Sequence, residues 1–194
     1  MQTSFTPDDV VIDYNFFSEK EVDDFCHKQN TSSDEGWGDA GISTGGKSSY
    51  DFDIRKAKIK NPKINKDDTF LVKLVYGAML ANERKFKMPI AKYCGEGLNL
   101  LKYGSDNGRF KIHNDTLGPA DTRMLTNIVL LSNPEDFVGG KVYFYNENPK
   151  NSNSLRFRND LKKGTLITFP SLMYHEVTPV TEGTRLSLVM WSHK

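Results

Sequence analysis

From Leu98 onward, apolar and aromatic residues come in short runs, each closed by a turn-forming residue. The runs are Leu98 to Tyr103, Arg109 to His113, Met124 to Leu131, Lys141 to Tyr145, Leu155 to Phe157, Thr165 to Phe169, Tyr174 to Val177 and Leu186 to Trp191. Breaks fall at Gly104, Gly118-Pro119, Gly139-Gly140, Gly164, Pro170 and Gly183. Runs this short, punctuated by Gly and Pro, are strands rather than helices. Eight strands at this spacing predict a double-sheet barrel of jelly-roll type, a double-stranded β-helix.

The first 97 residues have a different texture. Ser18-Glu19-Lys20-Glu21 is a capping box, and Val22 and Phe25 begin an apolar stripe that predicts a helix ending near Asn30. From Asp67 to about Phe86, the residues Phe70, Leu71, Leu74, Val75, Ala78, Met79 and Phe86 recur at helical spacing. Between them, Thr31 to Asp53 holds Gly36, Gly38, Gly41, Gly45 and Gly46 among many Ser and Thr, with Trp37 and Tyr50 as large aromatics. A long irregular segment of this kind predicts a mobile lid that touches substrate. The expected class is therefore α+β, mainly β, as one domain over 1–194. Residues 1–97 supply helical support and the Gly-rich loop, 98–192 the jelly-roll core, and the early helices pack on one sheet.

At 194 residues the chain can bury roughly 70% of its unfolded surface, enough for one core. Lys and Arg number 26 against 25 Asp and Glu, so the net charge of +1 gives no general attraction to nucleic acid. Cys26 and Cys94 make neither a disulfide framework nor a zinc spacing, which favours a reducing interior. Met1-Gln2-Thr3-Ser4-Phe5 lacks a basic segment leading into an apolar run, and nowhere do 18 apolar residues follow one another. The expectation is a soluble, cytoplasmic protein with no membrane partner.

Within the strand region stand His113-Asn114-Asp115, then His175, then Arg185-Leu186-Ser187. With 16 Asp and four His, chance supplies a His-x-Asp roughly 0.3 times, so the triplet alone is weak. Arg-x-Ser at a fixed offset after a given His arises by chance in only about 0.3% of cases, so the joint pattern carries the weight. On an extended strand His113 and Asp115 point one way and Asn114 the other. With His175 from a neighbouring strand they would form a two-His-one-carboxylate facial triad, leaving about three of six metal positions open. That set suits non-haem Fe(II) oxygenases. Zinc could occupy it too, but gives no reason for the Arg and Ser that follow. Arg185, Ser187, Val189 and Trp191 share one strand face, where the guanidinium and hydroxyl are suited to hold a carboxylate. His27 and His193 read as ordinary structural or surface histidines.

The stretch Lys102-Tyr103-Gly104-Ser105-Asp106-Asn107-Gly108-Arg109-Phe110-Lys111-Ile112-His113-Asn114-Asp115 resembles the ligand-bearing strand of 2-oxoglutarate/Fe(II)-dependent prolyl hydroxylases. So do Gly139-Gly140-Lys141-Val142 and Phe169-Pro170 leading to His175-Glu176-Val177, Pro179 and Gly183-Thr184-Arg185-Leu186-Ser187-Leu188-Val189-Met190-Trp191. The match runs over roughly 98–192 and is similar to the hypoxia-inducible-factor prolyl hydroxylases and their bacterial and viral relatives. The resemblance implies a dioxygenase with Fe(II) on His113, Asp115 and His175. It implies 2-oxoglutarate and O2 as co-substrates and ascorbate as a reductant. The distal carboxylate would sit on Arg185, assisted by Ser187 and Tyr103. Ile112, Val177, Val189 and Trp191 would form apolar surroundings. Leu130 stands where the hypoxia-related enzymes place a second co-substrate tyrosine. Arg123, Trp37, Tyr50 and Trp191 are the candidate substrate contacts. The implied reaction hydroxylates a prolyl residue of a peptide or protein and converts 2-oxoglutarate to succinate and CO2. Trp191 replaces the second arginine that nucleic-acid dealkylases of this superfamily carry six residues after the clamp. A free amino acid or another residue as substrate stays open, as does a non-catalytic jelly roll that binds a carboxylate or peptide.

Overall fold

The computed structural model describes residues 4–44, 47–91, 97–118, 120–151, 154–158 and 160–194. Residues 1–3, Gly45, Gly46, Cys94 and Pro119 lie outside the described residues. In chain order the first elements are β1 (Val11–Asp13), α1 (Glu19–Lys28), β2 (Gly38–Asp39), β3 (Ile42–Thr44), β4 (Lys47–Ser49), β5 (Arg55–Lys56) and β6 (Lys58–Lys60). Next come α2 (Thr69–Ala81) with a π-helical turn (Asn82–Phe86), β7 (Asn99–Gly104), β8 (Gly108–His113) and β9 (Arg123–Leu130). The chain closes with β10 (Phe137–Gly139), β11 (Val142–Tyr145), β12 (Arg156–Arg158), β13 (Leu166–Pro170) and β14 (His175–His193).

Two antiparallel layers share β14. One runs β1-β13-β9-β14-β7-β6-β2, and the other sets β14 between β8 and β11, with β5 beyond β8, β12 beyond β11 and β10 also on β14. The first part of β14 pairs His175 to Val180 with β8 and β11, and the second pairs Thr184 to His193 with β7 and β9. Sequence texture divided this stretch into two strands with a break at Gly183. The strand continues instead, because a bend meets the geometric demand that a break would have met. Its register to β8 shifts between His175 and Val177 and again between Val177 and Val180, around Pro179, which has no N–H to donate. Gly183 follows at φ +70, opposite Phe137.

The two faces of the larger layer are filled differently. Leu100, Val129, Leu131, Leu166, Leu188 and Met190 meet Val22, Phe25, Phe70, Leu74 and Ala78 from the helices. Phe70 stacks between Phe17 and Phe25, with centroids 4.1 and 4.2 Å away. Leu74 and Leu100 are fully buried, each contributing roughly 1.5–3 kcal/mol of transfer free energy. The helices thus cover one sheet, as the pattern predicts. The opposite face turns Leu101, Tyr103, Ile128, Ile167, Phe169 and Val189 towards the smaller layer. Cys26 is a free thiol packed at the helical side.

Caps fix both helices. Ser18 and Glu21 make the reciprocal box, and the Asp68 carboxylate accepts from the N–H groups of Phe70 (2.9 Å) and Leu71 (3.4 Å). The Gly-rich segment is less irregular than its composition suggests: β2 pairs with β6, and β3 and β4 pair antiparallel as a separate two-stranded sheet. Backbone pairing supplies what the side-chain pattern does not announce. Among the described residues no helix is long and apolar enough to cross a membrane.

A Cβ at Gly183 would lie 1.9 Å from the Asp136 carbonyl oxygen. Gly183→Ala is therefore expected to cost at least about 2 kcal/mol, read as a lower urea midpoint with an unchanged m-value. The Lys73 ammonium, then the Ser18 backbone N–H, hold Glu21 down at about 2. Its contribution is present above pH 4.5 and is lost as pH falls towards 2. Thermal unfolding of Glu21→Gln should accordingly lose less stability than the parent over that acid window, and the difference should shrink in salt.

Candidate metal centre and anion pocket

β8 ends and β14 begins at the same place, so His113 and His175 are direct cross-strand partners. Their ring centroids lie 4.2 Å apart. Asp115, two residues past the end of β8, is tied by its N–H to the Ser171 carbonyl (2.9 Å). His113 Nε2 stands 3.6 Å from Asp115 Oδ1, and His175 Nε2 stands 3.6 Å from Oδ2. One donor atom from each of the three residues falls within 4.8 Å of the others.

The hydrogen bonds around the triad settle which atoms are available. His113 Nδ1 donates to the Lys111 carbonyl at 2.7 Å, and His175 Nδ1 to the Met173 carbonyl at 3.1 Å. A carbonyl only accepts, so each Nδ1 carries a proton and each Nε2 is the ring nitrogen that faces the carboxylate. Burial, and then the neighbouring His175, push His113 down to about 3, so its ring is neutral and its Nε2 keeps a lone pair. Burial opposes ionisation of Asp115, but His175, His113 and the Thr126 hydroxyl outweigh it and leave the carboxyl below its ordinary range. Thr126 Oγ1 donates to Asp115 Oδ2 at 2.7 Å and sits 3.1 Å from Ser171 Oγ. Phe110 stacks on His113 at 3.4 Å and Phe169 meets His175 edge-on at 4.8 Å, so both imidazoles are clamped.

A cavity of about 530 Å³ joins the triad to Arg185. Arg185 is only 1% exposed, donates from Nη1 to Ser187 Oγ (3.0 Å) and lies across the strand pair from Tyr103, whose ring centre is 5.5 Å away. Among the described residues no carboxylate pairs with it. Burial lowers its pKa, and likewise raises that of Tyr103. A buried guanidinium without a counter-ion is costly, so this end of the cavity is built to receive an anion. Gly140 makes room for it: at φ +57, a Cβ there would lie 2.8 Å from Arg185 Cδ.

Val177, Val189, Leu101, Ile128 and Trp191 complete the inner wall. The Trp191 indole N–H is buried, faces Asp115 and finds no partner in hydrogen-bonding geometry. Arg123 lies 4.0 Å above the Trp191 ring and donates to the Asp115 carbonyl at 2.8 Å. At four positions the placement differs from the sequence expectation. Asn114 lines the cavity instead of facing away, because the strand ends at His113 and Asn114 Oδ1 closes a turn by accepting from Thr116 N and Oγ1. Ile112 is 41% exposed, on the outward face of β8. Trp37 does not line the cavity: it packs at the helical core, donates to the Ser33 carbonyl and lies under Lys60 and Lys102. Tyr50 is 69% exposed and also outside the lining, although Gly41 and Ile42 of its segment reach it. Arg55 and Thr126 are the lining and supporting residues that sequence reasoning missed. Thr126 had a signal, as the polar member of the Thr126, Ile128, Leu130 face, whereas Arg55 sits in no motif.

Residues 98–193 match the family model of the 2OG-Fe(II) oxygenase superfamily. The chain carries a 2OG-Fe(II) oxygenase domain. That family implies Fe(II), 2-oxoglutarate and O2. A PKHD-type hydroxylase from Hyphomonas neptunium is 32% identical over 114 residues, 57% of this chain, and the chain spans 45% of that relative's length. The fold of the oxygenase domain is that of a Pseudomonas putida prolyl-4-hydroxylase (TM-score 0.69, 16% identity, covering 95% of this chain and 92% of that one). It is also that of a Trichoplax adhaerens prolyl hydroxylase solved with a hypoxia-inducible-factor peptide (TM-score 0.72, 17% identity, covering 96% and 84%). The residues fit the cofactor set: two imidazole Nε2 atoms and a carboxylate converge on one point, and an unpaired buried cation stands in the same cavity. Removing the Thr126 hydroxyl leaves Asp115 without its orienting donor. Thr126→Val of the oxygenase domain should bind Co(II) about tenfold more weakly by spectroscopic titration, with little change in unfolding midpoint.

Proposed function

We propose that the protein is a non-haem Fe(II)- and 2-oxoglutarate-dependent dioxygenase that hydroxylates a prolyl residue in a peptide or protein, with decarboxylation of 2-oxoglutarate to succinate and CO2. The observation that carries this reading is a single cavity with the His113, Asp115 and His175 donor atoms at one point and the unpaired Arg185 guanidinium in the same wall.

His113, Asp115 and His175 would hold the metal, which supplies the redox chemistry when bound. Arg185 would take the distal carboxylate of 2-oxoglutarate through charge-assisted hydrogen bonds, with Ser187 holding the guanidinium in plane and Tyr103 packing beside it. Leu130, buried on the neighbouring strand, offers no hydroxyl where a second tyrosine would have donated. The valines and Trp191 exclude water from the reacting centre. Arg123 fixes the chain just past His113 through the Asp115 carbonyl, and so orients the mouth.

A prolyl substrate is supported by the mouth and by the relatives. Ile42, Ile54 and Leu117 give an apolar rim suited to a pyrrolidine ring, and the similar proteins named above are hydroxylases of the PKHD and prolyl types. A reductant such as ascorbate would keep the metal ferrous between turnovers.

Anaerobic loading with Fe(II) and 2-oxoglutarate, followed by O2 and proline-containing peptides, should give succinate and a peptide gain of about 16 Da, one oxygen atom. Asp115→Ala should abolish both products; succinate at the parent rate from that variant would refute the metal assignment. Arg185→Gln should raise KM for 2-oxoglutarate by about 10- to 100-fold, the worth of a charged hydrogen bond.

A further inference from the structure

Charge in the cavity is unevenly accounted for. With Fe(II) and the 2-oxoglutarate dianion in place, the deep half balances: two positive charges from the metal and one from Arg185 face one negative from Asp115 and two from the co-substrate. Two lining arginines are left over: Arg123, which is engaged by the Trp191 ring and the Asp115 carbonyl, and Arg55. Arg55 lines the same cavity, in which Asp115 is the sole acidic side chain among the described lining residues.

Its geometry holds it at the reacting end. Arg55 stands opposite Phe110 in the β5–β8 pairing, with its guanidinium carbon 4.5 Å from the Phe110 ring centre. Phe110 in turn lies 3.4 Å from the His113 ring at 17°, so guanidinium, phenyl and imidazole form one stack. Nη1 donates to the Gly41 carbonyl at 2.8 Å, which fixes the plane of the fork, while Nε is buried with no partner. The acids nearest in sequence are engaged elsewhere. Asp51 accepts from the backbone N–H groups of Asp53 and Ile54, and Asp53 faces Arg109 at 3.5 Å. A pre-oriented guanidinium with a buried unused donor, one ring away from a metal-ligand candidate, is a carboxylate receptor.

We propose that Arg55 is a specificity residue that binds a carboxylate of the substrate beside the carbon presented to the metal. The preferred substrate is then a peptide with an acidic residue next to the proline. The inference rests on the oxygenase reading above and adds the substrate's charge to it. The same chemistry could be met by the free carboxylate of a C-terminal proline, so the test includes both sources.

Protein loaded with Mn(II) and 2-oxoglutarate is titrated with end-blocked fluorescent peptides carrying Asp, Asn or Lys before a proline, and with one ending in a free C-terminal proline. The expected result is that the Asp peptide binds about tenfold more tightly than the Asn peptide. Arg55→Gln should erase that difference, Arg55→Glu should transfer it to the Lys peptide, and Arg55→Lys should keep part of it. Affinity for 2-oxoglutarate should stay within about twofold throughout. An Arg55-dependent preference for the free C-terminus over the Asp peptide upholds the carboxylate and assigns it to the chain end. Equal binding of Asp and Asn peptides, an Asp preference that survives Arg55→Gln, weakened 2-oxoglutarate binding, or no binding of any peptide overturns the proposal. Parallel Fe(II) turnover separates the two readings. Arg55-dependent binding without oxygen gain sinks prolyl hydroxylation alone, and equal hydroxylation of Asp and Asn peptides sinks the Arg55 proposal alone.

Discussion

One strand belonging to two sheets is the constraint on which the rest depends. His175 and Arg185 are ten residues apart on β14, a separation of about 33 Å if the strand ran straight. Both nevertheless line one cavity. The bend between them is produced by the register shifts about Pro179 and by the positive φ of Gly183, and it folds the smaller layer over the larger. The same strand then sets His175 against His113, Arg185 against Tyr103 and Trp191 against Thr126. Antiparallel register therefore delivers both histidine ligands, the anion receptor and the residue that orients Asp115, while Asp115 itself stands in the turn just past β8.

The polar groups gathered by that register would be a liability in an ordinary core. Arg185 has lost its water without gaining a counter-ion, and Asp115 is ionised inside a largely apolar wall. The surrounding bonds orient the ligands without using the facing atoms: both Nδ1 atoms are spent on carbonyls, leaving both Nε2 atoms turned to the carboxylate. A metal and a dicarboxylate would be repaid by the folded state alone, since the unfolded chain presents none of these groups together. Their binding is linked to stability for that reason.

Period two in the sequence made much of this legible. Alternation along 185–191 separated Arg185, Ser187, Val189 and Trp191 from Leu186, Leu188 and Met190, and the two sets do line the cavity and the helical side. What alternation could not show is where it stops. Asn114 turned inward because pairing ends at His113, and Gly183 bent a strand that its residue type suggested would end. Trp37 shows a second limit. A lone aromatic in a Gly-rich stretch looks the same whether it greets a ligand or, as here, covers the edge of a core beneath two lysines. Arg55 was invisible for a third reason: its significance comes from Gly41, Phe110 and His113, which lie 14, 55 and 58 positions away.

The cavity divides by origin as well as by depth. Its inner wall comes from β7, β8, β9 and β14, whose long registers brace one another, so a shift in one would displace several ligands at once. Its mouth is made from short pieces: Gly41 and Ile42 at the start of β3, the two-residue β5 with Ile54 before it, and Thr116 and Leu117 past the ligand turn. Elements with so few cross-strand bonds open at low free energy and tolerate substitution. Chemistry that demands fixed ligand geometry is thus assigned to the part of the fold that cannot vary cheaply. Recognition of substrate charge, through Arg55, is assigned to the part that can. On this division, relatives sharing the inner wall can differ in substrate through changes at the mouth alone, because none of the register-determining pairs needs to move.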